Sequence, residues 1–565
     1  MAALPFYAAE ITAYQPATAV QAFALGRGSK PRGALTVQAS QLDSTATLLA
    51  SDTGYRTRPD DAPGTPPGFA GGVQVYPAVL DTTFEVDRHV GLEPGSANTA
   101  TFGAIRLNNL GRRFDSFVQA RNSDGRPVRV LSGAKAFDAG RGLFVDPPRA
   151  SLQPLFGGSA LPWQLSEETL EIPLRDAAYT ADRPLQATLY AGTGGYAGGA
   201  DLAGKEVPIT RGGTAANPVL NVPLVCVDSA NLIYQWTDAY GQLLTLYEGG
   251  AAVFTFAGDV ADLYSGMAPM AGTYRTNNAR GLVQMGSKPV NTLTADVTGF
   301  FAGAGAVSTA AQIARYLLSE TMGQPDSVLD LPSFAAADAA YPYVAGFYAG
   351  SNIGGLAQVQ ALLGSIGARL VATRTGLLSV FLLRQLPASA SPAAAFTTAN
   401  ALSVTPQPLP STLDPPPSQW RVGWGLNNTV QSSGLNSTVS AARQRQLALD
   451  YRVAPWFGSA VATAWRNANR PAPVNTMLLA QAQAQALAND LGALWARENP
   501  QGLSLGRPGL YDVEVPIEAA LPLNLGSVVL LRWPLGNLAD GRLGQIVGEQ
   551  LRSVEASATL SVLVS

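Results

Sequence analysis

The run YDVEVPI at residues 511–517 sets Tyr511, Val513, Val515 and Ile517 against Asp512, Glu514 and Pro516. Side chains that alternate in this way make a strand with one buried and one wet face. Three more strand candidates follow in the closing stretch 521–565. They are residues 527–533, almost wholly apolar, residues 542–550 after the Asp540-Gly541 turn signal, and residues 558–564, where Ala558, Leu560, Val562 and Val564 share a face. The reading is an antiparallel meander that forms a β-barrel-like module.

A similar pattern occurs nearer the N-terminus. Residues 73–76, 101–107, 127–131 and 170–175 carry apolar alternation bounded by Gly, Pro, Asn or Asp, and Leu170, Ile172 and Leu174 oppose Glu171 and Arg175. Next, Gly192, Gly194, Gly195, Gly198, Gly199 and Gly204 crowd a hinge, because glycine admits turns that other residues resist. Strands resume over 219–298. Helix is expected from an N-cap at Ser308 to about residue 321, with Ile313 and Leu317 on one side, and again where Leu356, Val359, Leu362, Leu363 and Ile366 repeat. Residues 369–373 and 377–383 read as a hairpin turning at Thr375-Gly376. Residues 387–417, rich in Ala, Ser, Thr and Pro, read as an extended linker. Residues 420–430 restart a strand, and 440–449 and 477–495 are helix candidates. Residues 1–45 read as apolar and irregular, with a loop through Gly26, Arg27, Gly28, Ser29, Lys30 and Pro31.

With 565 residues the chain exceeds one ordinary core, and roughly three or four domains are expected. Charged residues are only 14% against 47% apolar, and there are 58 Gly and 40 Pro. This composition suits short strands joined by turns, and leaves surfaces suited to obligate subunit contacts. A net charge of −3 argues against tight nucleic-acid binding, which needs Lys and Arg to neutralise phosphates. DNA passing through a channel needs no basic groove. One cysteine, Cys226, and one histidine, His89, exclude an intrachain disulfide framework, Cys-rich metal sites and multi-imidazole chemistry. Nothing in residues 1–10 reads as a secretion signal, and no apolar run is long enough to span a bilayer.

Individual motifs are weak. Residues 199–206 spell G-x-x-x-x-G-K followed by Glu206, where a phosphate-binding loop needs Ser or Thr, and Pro208 stands where its helix would open. Ser132 and Lys135 have the S-x-x-K spacing of some acyl enzymes without its companion motifs. His89 follows Asp87 and Arg88 in what reads as an exposed polar connection, with no serine elbow to complete a triad. Cys226 reads as a small buried apolar residue. Asp60-Asp61, Glu167-Glu168 and Asp259 with Asp262 are sequence neighbours rather than facing glycosidase carboxylates. Trp420, Trp424, Tyr341, Tyr343 and Tyr348 are read as core or interface aromatics before sugar platforms. No catalytic, cofactor-binding or metal-ligating residue is assigned.

The order of short phrases resembles the phage tail hub or tail-tip (baseplate hub) family of siphophages, prophages and gene transfer agents. They run from LLASDTGYRTRP (48–59) and FGAIRLNN (102–109) to LRD (174–176), RPLQ (183–186) and YAGTGG (190–195). LAGK (202–205) with Pro208, residues 222–228, LIYQ (232–235), GTY (272–274) and TADVTG (294–299) continue the series. Residues 1–45 and the proline-rich linker depart from the pattern.

The resemblance implies a mainly β chain with α+β insertions: two tail-tube-like β-barrel modules, a β-rich middle domain and a small α+β domain. The expected division is 1–45 extension, 46–190 first barrel, 191–304 hinge and middle domain, 305–386 α+β domain, 387–418 linker and 419–565 second barrel with helices. It further implies a non-enzymatic virion protein without cofactors, a homotrimer assembled in the bacterial host cytoplasm and located at the tail tip. Its partners would be the tail tube or distal tail protein, a tail fibre or central spike protein and the tape measure protein. Such a hub closes the distal end of the tube, adapts a six-fold tube to a three-fold tip, and gates DNA passage without tight binding. The alternative is a receptor-binding or polysaccharide-binding or -cleaving tail fibre protein, active in host attachment.

Overall fold

The structure is a computed structural model that describes residues 4–15, 18–19, 39–41, 44–63, 71–81, 85–303, 305–496, 508–552 and 556–564. The loop expected at 26–31 lies outside the described residues. The fold is mainly β, with several sheets, one of them a half-barrel, and short helices between them.

The second of two eight-stranded sheets contains the opening motif. Gly509–Pro516 pairs with Ser557–Val564 so that Tyr511 faces Val562, Val513 faces Leu560 and Val515 faces Ala558. This register puts both apolar sets on one side, and Val513 and Val515 are fully buried. The four strands do not follow a simple meander. Val528–Leu531, Arg542–Arg552 and Ser557–Val564 are consecutive neighbours, but Gly509–Pro516 lies beyond Ser557–Val564 instead of beside Val528–Leu531.

Residues expected to be a linker complete this sheet. Ala394–Phe396 pairs parallel with Val528–Leu531, and Ser403–Gln407 pairs antiparallel with Gly509–Pro516. Both are edge strands. Pro406 is tolerated on an edge because its missing N–H leaves no interior ladder bond unmade.

The first sheet runs in the order Gln164–Leu165, Thr169–Arg175, Gln153–Ala160, Pro127–Asp138, Leu4–Gln15, Ser44–Ser51. Ala104–Asn108 also pairs with Thr169–Arg175, and Leu143–Val145 with Pro127–Asp138. The supposed N-terminal extension therefore supplies an interior strand. Ala9 and Ile11 of Leu4–Gln15 enter the main core, while Phe6 and Ala8 pack on the other face with Tyr55, Tyr76, Leu131 and Leu152. On that second face Glu10 accepts bonds from Arg149 Nε and Nη2 at 2.8 and 2.7 Å and from the Tyr76 hydroxyl at 2.6 Å. A buried carboxylate is tolerable when its lone pairs are filled by a guanidinium in this way.

The N-terminal segment lends two strands to the second sheet. Glu85–His89 pairs with Arg542–Arg552, and Thr99–Phe102 pairs with Glu85–His89, so both belong to the second sheet. One residue later, Ala104–Asn108 belongs to the first. The expectation of one self-contained barrel near each end thus gives way to two joined sheets. One continuous core includes Ile11, Ile105, Leu362, Val513 and Val562.

The α+β part comprises the helices Ala310–Tyr316, Leu331–Ala340 and Gly355–Gly364, with the hairpin Ala368–Ala372 and Leu378–Leu382. Leu331–Ala340 was not expected; it lacks a regular apolar stripe because alanine fills half of its length. The middle region has a three-stranded and a five-stranded sheet with separate small cores. Gln419–Trp424 joins a further small sheet with Arg452–Phe457 and Val474–Asn475, against which Gln481–Trp495 packs.

A chain starting at Ser44 should lose the cooperative thermal transition seen by circular dichroism, whereas one starting at Leu4 should keep it. Equal melting of the two would refute the interior role of Leu4–Gln15.

Candidate functional site

The seam between the two sheets concentrates buried charge. Arg88 and Glu549 are cross-strand partners in the second sheet, with Arg88 Nη2 2.5 Å from Glu549 Oε2. The other carboxylate oxygen contacts Arg374 Nη2. All three side chains are at least 90% buried. Arg88 Nη1 also donates to the Ala372 carbonyl at 2.6 Å. The triad therefore ties Glu85–His89, Arg542–Arg552 and the 368–382 hairpin to one another.

Backbone geometry brings Arg374 there. The hairpin turns through residues 373–376, with Gly376 at φ +83°, and that turn lies against Gly157 of the first sheet. A Cβ at Gly157 would come within 2.7 Å of the Thr375 carbonyl carbon, so only glycine admits this approach. On the other side, Gly548 lies opposite His89, and a Cβ there would meet the imidazole at 2.3 Å. The hairpin is a wedge touching both sheets.

Beside the triad is a cavity of about 310 Å³ lined by Arg88, His89, Asp176, Tyr179, Leu370 and Leu525 among others. His89 Nε2 is 2.8 Å from Asp87 Oδ1, and both side chains are about half exposed. His89 belongs to a strand and not to the exposed connection expected for it. Asp176 Oδ1 accepts the Ala178 N–H at 3.1 Å. Burial pushes its carboxyl above the usual range, against the lowering effects of backbone N–H groups and the Arg88 charge. Burial also pushes the Arg374 guanidinium down, opposed by Glu549. Arg374 Nε and Nη1 find no hydrogen-bond acceptor among the described residues. This arrangement fixes three segments in place by charge; it presents no nucleophile poised against a base.

The other sequence motifs lie apart. Residues 199–206 form a single 3-10 turn, Ala200–Leu202, and Glu206 continues into a bridge with Leu189. Ser132 and Lys135 are three apart on one strand and face opposite sides: Lys135 lies over Phe6 and pairs with Asp146 at 3.1 Å. Cys226 is half-buried in Val225–Asp228 opposite Tyr234, less enclosed than expected, and partial burial still raises its thiol pKa. Asp61 accepts the Arg58 and Arg149 backbone N–H groups, Glu167 pairs with Arg112, Asp259 accepts from Thr276, and Asp262 accepts from the Tyr196 hydroxyl. These are turn and surface interactions. Trp420 is buried; Tyr341 donates to Asp490 at 2.9 Å and packs edge-on to Tyr343; burial pushes the Tyr348 hydroxyl up to about 12. Trp424 lies under the Arg452 guanidinium. Among the described residues no group of three or more His, Cys, Asp or Glu could hold a metal ion, and no helix is long and apolar enough to cross a membrane.

No protein-family model matches the chain, and no curated protein matches it. Solved structures do. The tail protein from Neisseria meningitidis MC58 is 12% identical over 88% of this chain and 94% of its own, with a TM-score of 0.32. A chain of the native gene transfer agent virion is 15% identical over 64% of this chain and 85% of its own, at 0.35. The 43 kDa tail protein of prophage MuSo2 from Shewanella oneidensis is 10% identical over 85% of this chain and 98% of its own, at 0.26. All three are tail or virion proteins. Likeness at this distance leaves function to be argued from the chain itself.

Glu549→Leu should destabilise the protein by about 3–5 kcal/mol in denaturant titrations, because two guanidinium groups stay buried without a counter-charge. Replacing Arg88, Arg374 and Glu549 together by Met, Met and Leu should recover most of that loss, since no orphan charge remains. If the triple variant is weaker than Glu549→Leu alone, the orphaned-charge account fails.

Asp176→Asn gives a pH signature. A carboxyl raised in the folded state contributes its full stability below the unfolded value of 3.8 and loses it as pH rises through the folded pKa. The melting temperature of Asp176→Asn relative to wild type should therefore climb as the pH rises above about 4. A difference independent of pH would contradict the raised carboxyl.

Proposed function

We propose that the chain is a non-enzymatic structural subunit of a phage tail tip, a hub that closes the distal end of the tail tube. The observation that carries this reading is the pair of eight-stranded sheets in one chain, joined by two N-terminal strands that enter the second sheet and wedged by the α+β hairpin. Two sheet modules per chain would let three chains present six to a six-fold tube while leaving a three-fold face below. The ordered phrases from residues 48 to 299 support the same assignment.

Exposed apolar side chains fit a protein that works within an assembly. Met267, Met270 and Val290 are 90%, 78% and 91% exposed in the middle region, where a free monomer would gain by covering them. In this reading the tube or distal tail protein sits above the trimer, a fibre or central spike protein below, and the tape measure protein reaches it through the tube. DNA passes when the tip opens and is not tightly bound. The hub is assembled in the bacterial host cytoplasm and resides at the tail tip of the virion.

Light scattering on the purified protein should give three times the 58.7 kDa chain mass. Subunit interfaces in such an obligate trimer should bury on the order of 2,000–5,000 Å². Gold-labelled antibody on intact particles should mark the distal end of the tail. A stable monomer together with label on the tail shaft, or none on particles, would overturn the proposal.

A further inference from the structure

A second cavity, of about 400 Å³, adjoins the first, sharing Asn98, Gln360 and Leu370 with it, and differs from it in charge. Its walls come from four places: residues 95–98, the helix Gly355–Gly364, the strand Ala368–Ala372, and residues 474–477 with Tyr451. No acidic side chain lines it, and Arg369 is its single charged lining residue among the described residues.

Arg369 is itself 92% buried, at 8% exposure. Its guanidinium donates to three backbone carbonyls, those of Gly91 at 3.0 Å, Ala368 at 3.0 Å and Glu93 at 3.2 Å. These dipoles satisfy donors but carry no net charge. The Glu93 carboxylate is engaged by the Thr412 hydroxyl instead. Burial alone pulls the Arg369 guanidinium down to about 10, with no neighbouring charge to offset it. This is unlike the other buried arginines: Arg88 and Arg374 share Glu549, Arg149 has Glu10 and Arg211 has Asp238.

A buried cation without a counter-charge is costly, and an anion brought beside it recovers part of that cost. Two other side chains are suited to an anion: Gln360 and Asn475 contribute amide groups that no other hydrogen bond occupies among the described residues. Asn98 and Thr476 also line the cavity, but their polar atoms are engaged with the backbone at Gly91 and Leu370 and at Gly423 and Leu478. The volume lies within the range of small-molecule sites.

We propose that this cavity binds a small oxyanion-bearing molecule, carboxylate or phosphate, with Arg369 as its counter-charge and the Gln360 and Asn475 amides as its hydrogen-bonding groups. The occupant touches the 91–98 loop, the wedge hairpin and the 474–477 segment at once. Its binding therefore stiffens the join between the strand excursion at 85–102 and the α+β part.

The test is calorimetric titration of the full chain with inorganic phosphate and with citrate, using chloride at matched ionic strength as the control. Saturable binding of one or both, with a dissociation constant on the order of 1 mM or tighter, is expected. The identity of the stronger ligand distinguishes phosphate from carboxylate as the preferred head group. Arg369→Met should abolish binding. Because that variant also frees three carbonyls, Gln360→Glu provides the second arm: Gln360 is exposed at the cavity mouth, so the new carboxylate repels an anion without disturbing the core. Gln360→Glu should melt as wild type does in chloride and lose at least tenfold in affinity. Undiminished binding by Gln360→Glu, or no saturable binding of either anion by wild type at concentrations on the order of 10 mM, would overturn the proposal.

Discussion

Glu549 has two cationic neighbours, and the rest of the fold is arranged so that it can. Its carboxylate joins Arg88 from the strand Glu85–His89 and Arg374 from the hairpin turn, all three at least 90% buried. Burying three charges is expensive, and well-packed apolar residues usually do as well for stability alone. What apolar residues lack is a demand for one particular partner. The triad makes the correct meeting of three segments far better than a near miss, because a near miss strands a guanidinium or a carboxylate in the core.

The wedge depends on that meeting and on the small residues around it. Gly157 lets the turn at 373–376 lie on the backbone of the first sheet, and Gly548 leaves room for His89 in the second. Arg369 then reaches the carbonyls of Gly91 and Glu93, and the Asn98 amide donates to the Leu370 carbonyl at 2.7 Å. The contact between the α+β part and the excursion at 85–102 is thus mostly side chain to backbone. Such contacts hold the path of the chain and leave the surface sequence of the loop free to vary.

Local pattern made some of this legible. Strands with one wet face, such as 511–517 and 170–175, announce themselves by alternation, and the hairpin at 368–382 by its Thr375-Gly376 turn. Leu4–Gln15 did not, because an interior strand is covered on both faces: Phe6, Ala8, Ala9, Ile11 and Ala13 are all fully buried, which erases the alternation. Ala394–Phe396 and Ser403–Gln407 were hidden by proline and alanine, which read as linker but are admissible on sheet edges. The candidate site was the least visible part. Asp87, Arg88 and His89 look like a solvated turn, and Arg88 can be buried only because Glu549, 461 positions away, lies opposite it.

That separation gives the charge a second role. The pairings of the first sheet all fall within residues 4–175, so it can form from its own segment, whereas the local pair Glu85–His89 and Thr99–Phe102 joins the second sheet only once Arg542–Arg552 exists. Long-range pairing loses loop entropy before it gains contacts, and register has to be chosen at that moment. In the native register Arg88 faces Glu549. A slip of one residue would set Asp87 or His89 opposite Glu549 and turn Arg88 to the other face of the sheet. With Asp87 there, two carboxylates would meet; with His89, the ring would have to enter a space shaped for a guanidinium, and in both cases Arg374 would keep no proper partner. The alternation of acid, base and imidazole in three consecutive residues thus penalises each neighbouring register, and Glu549 is the group that reads it.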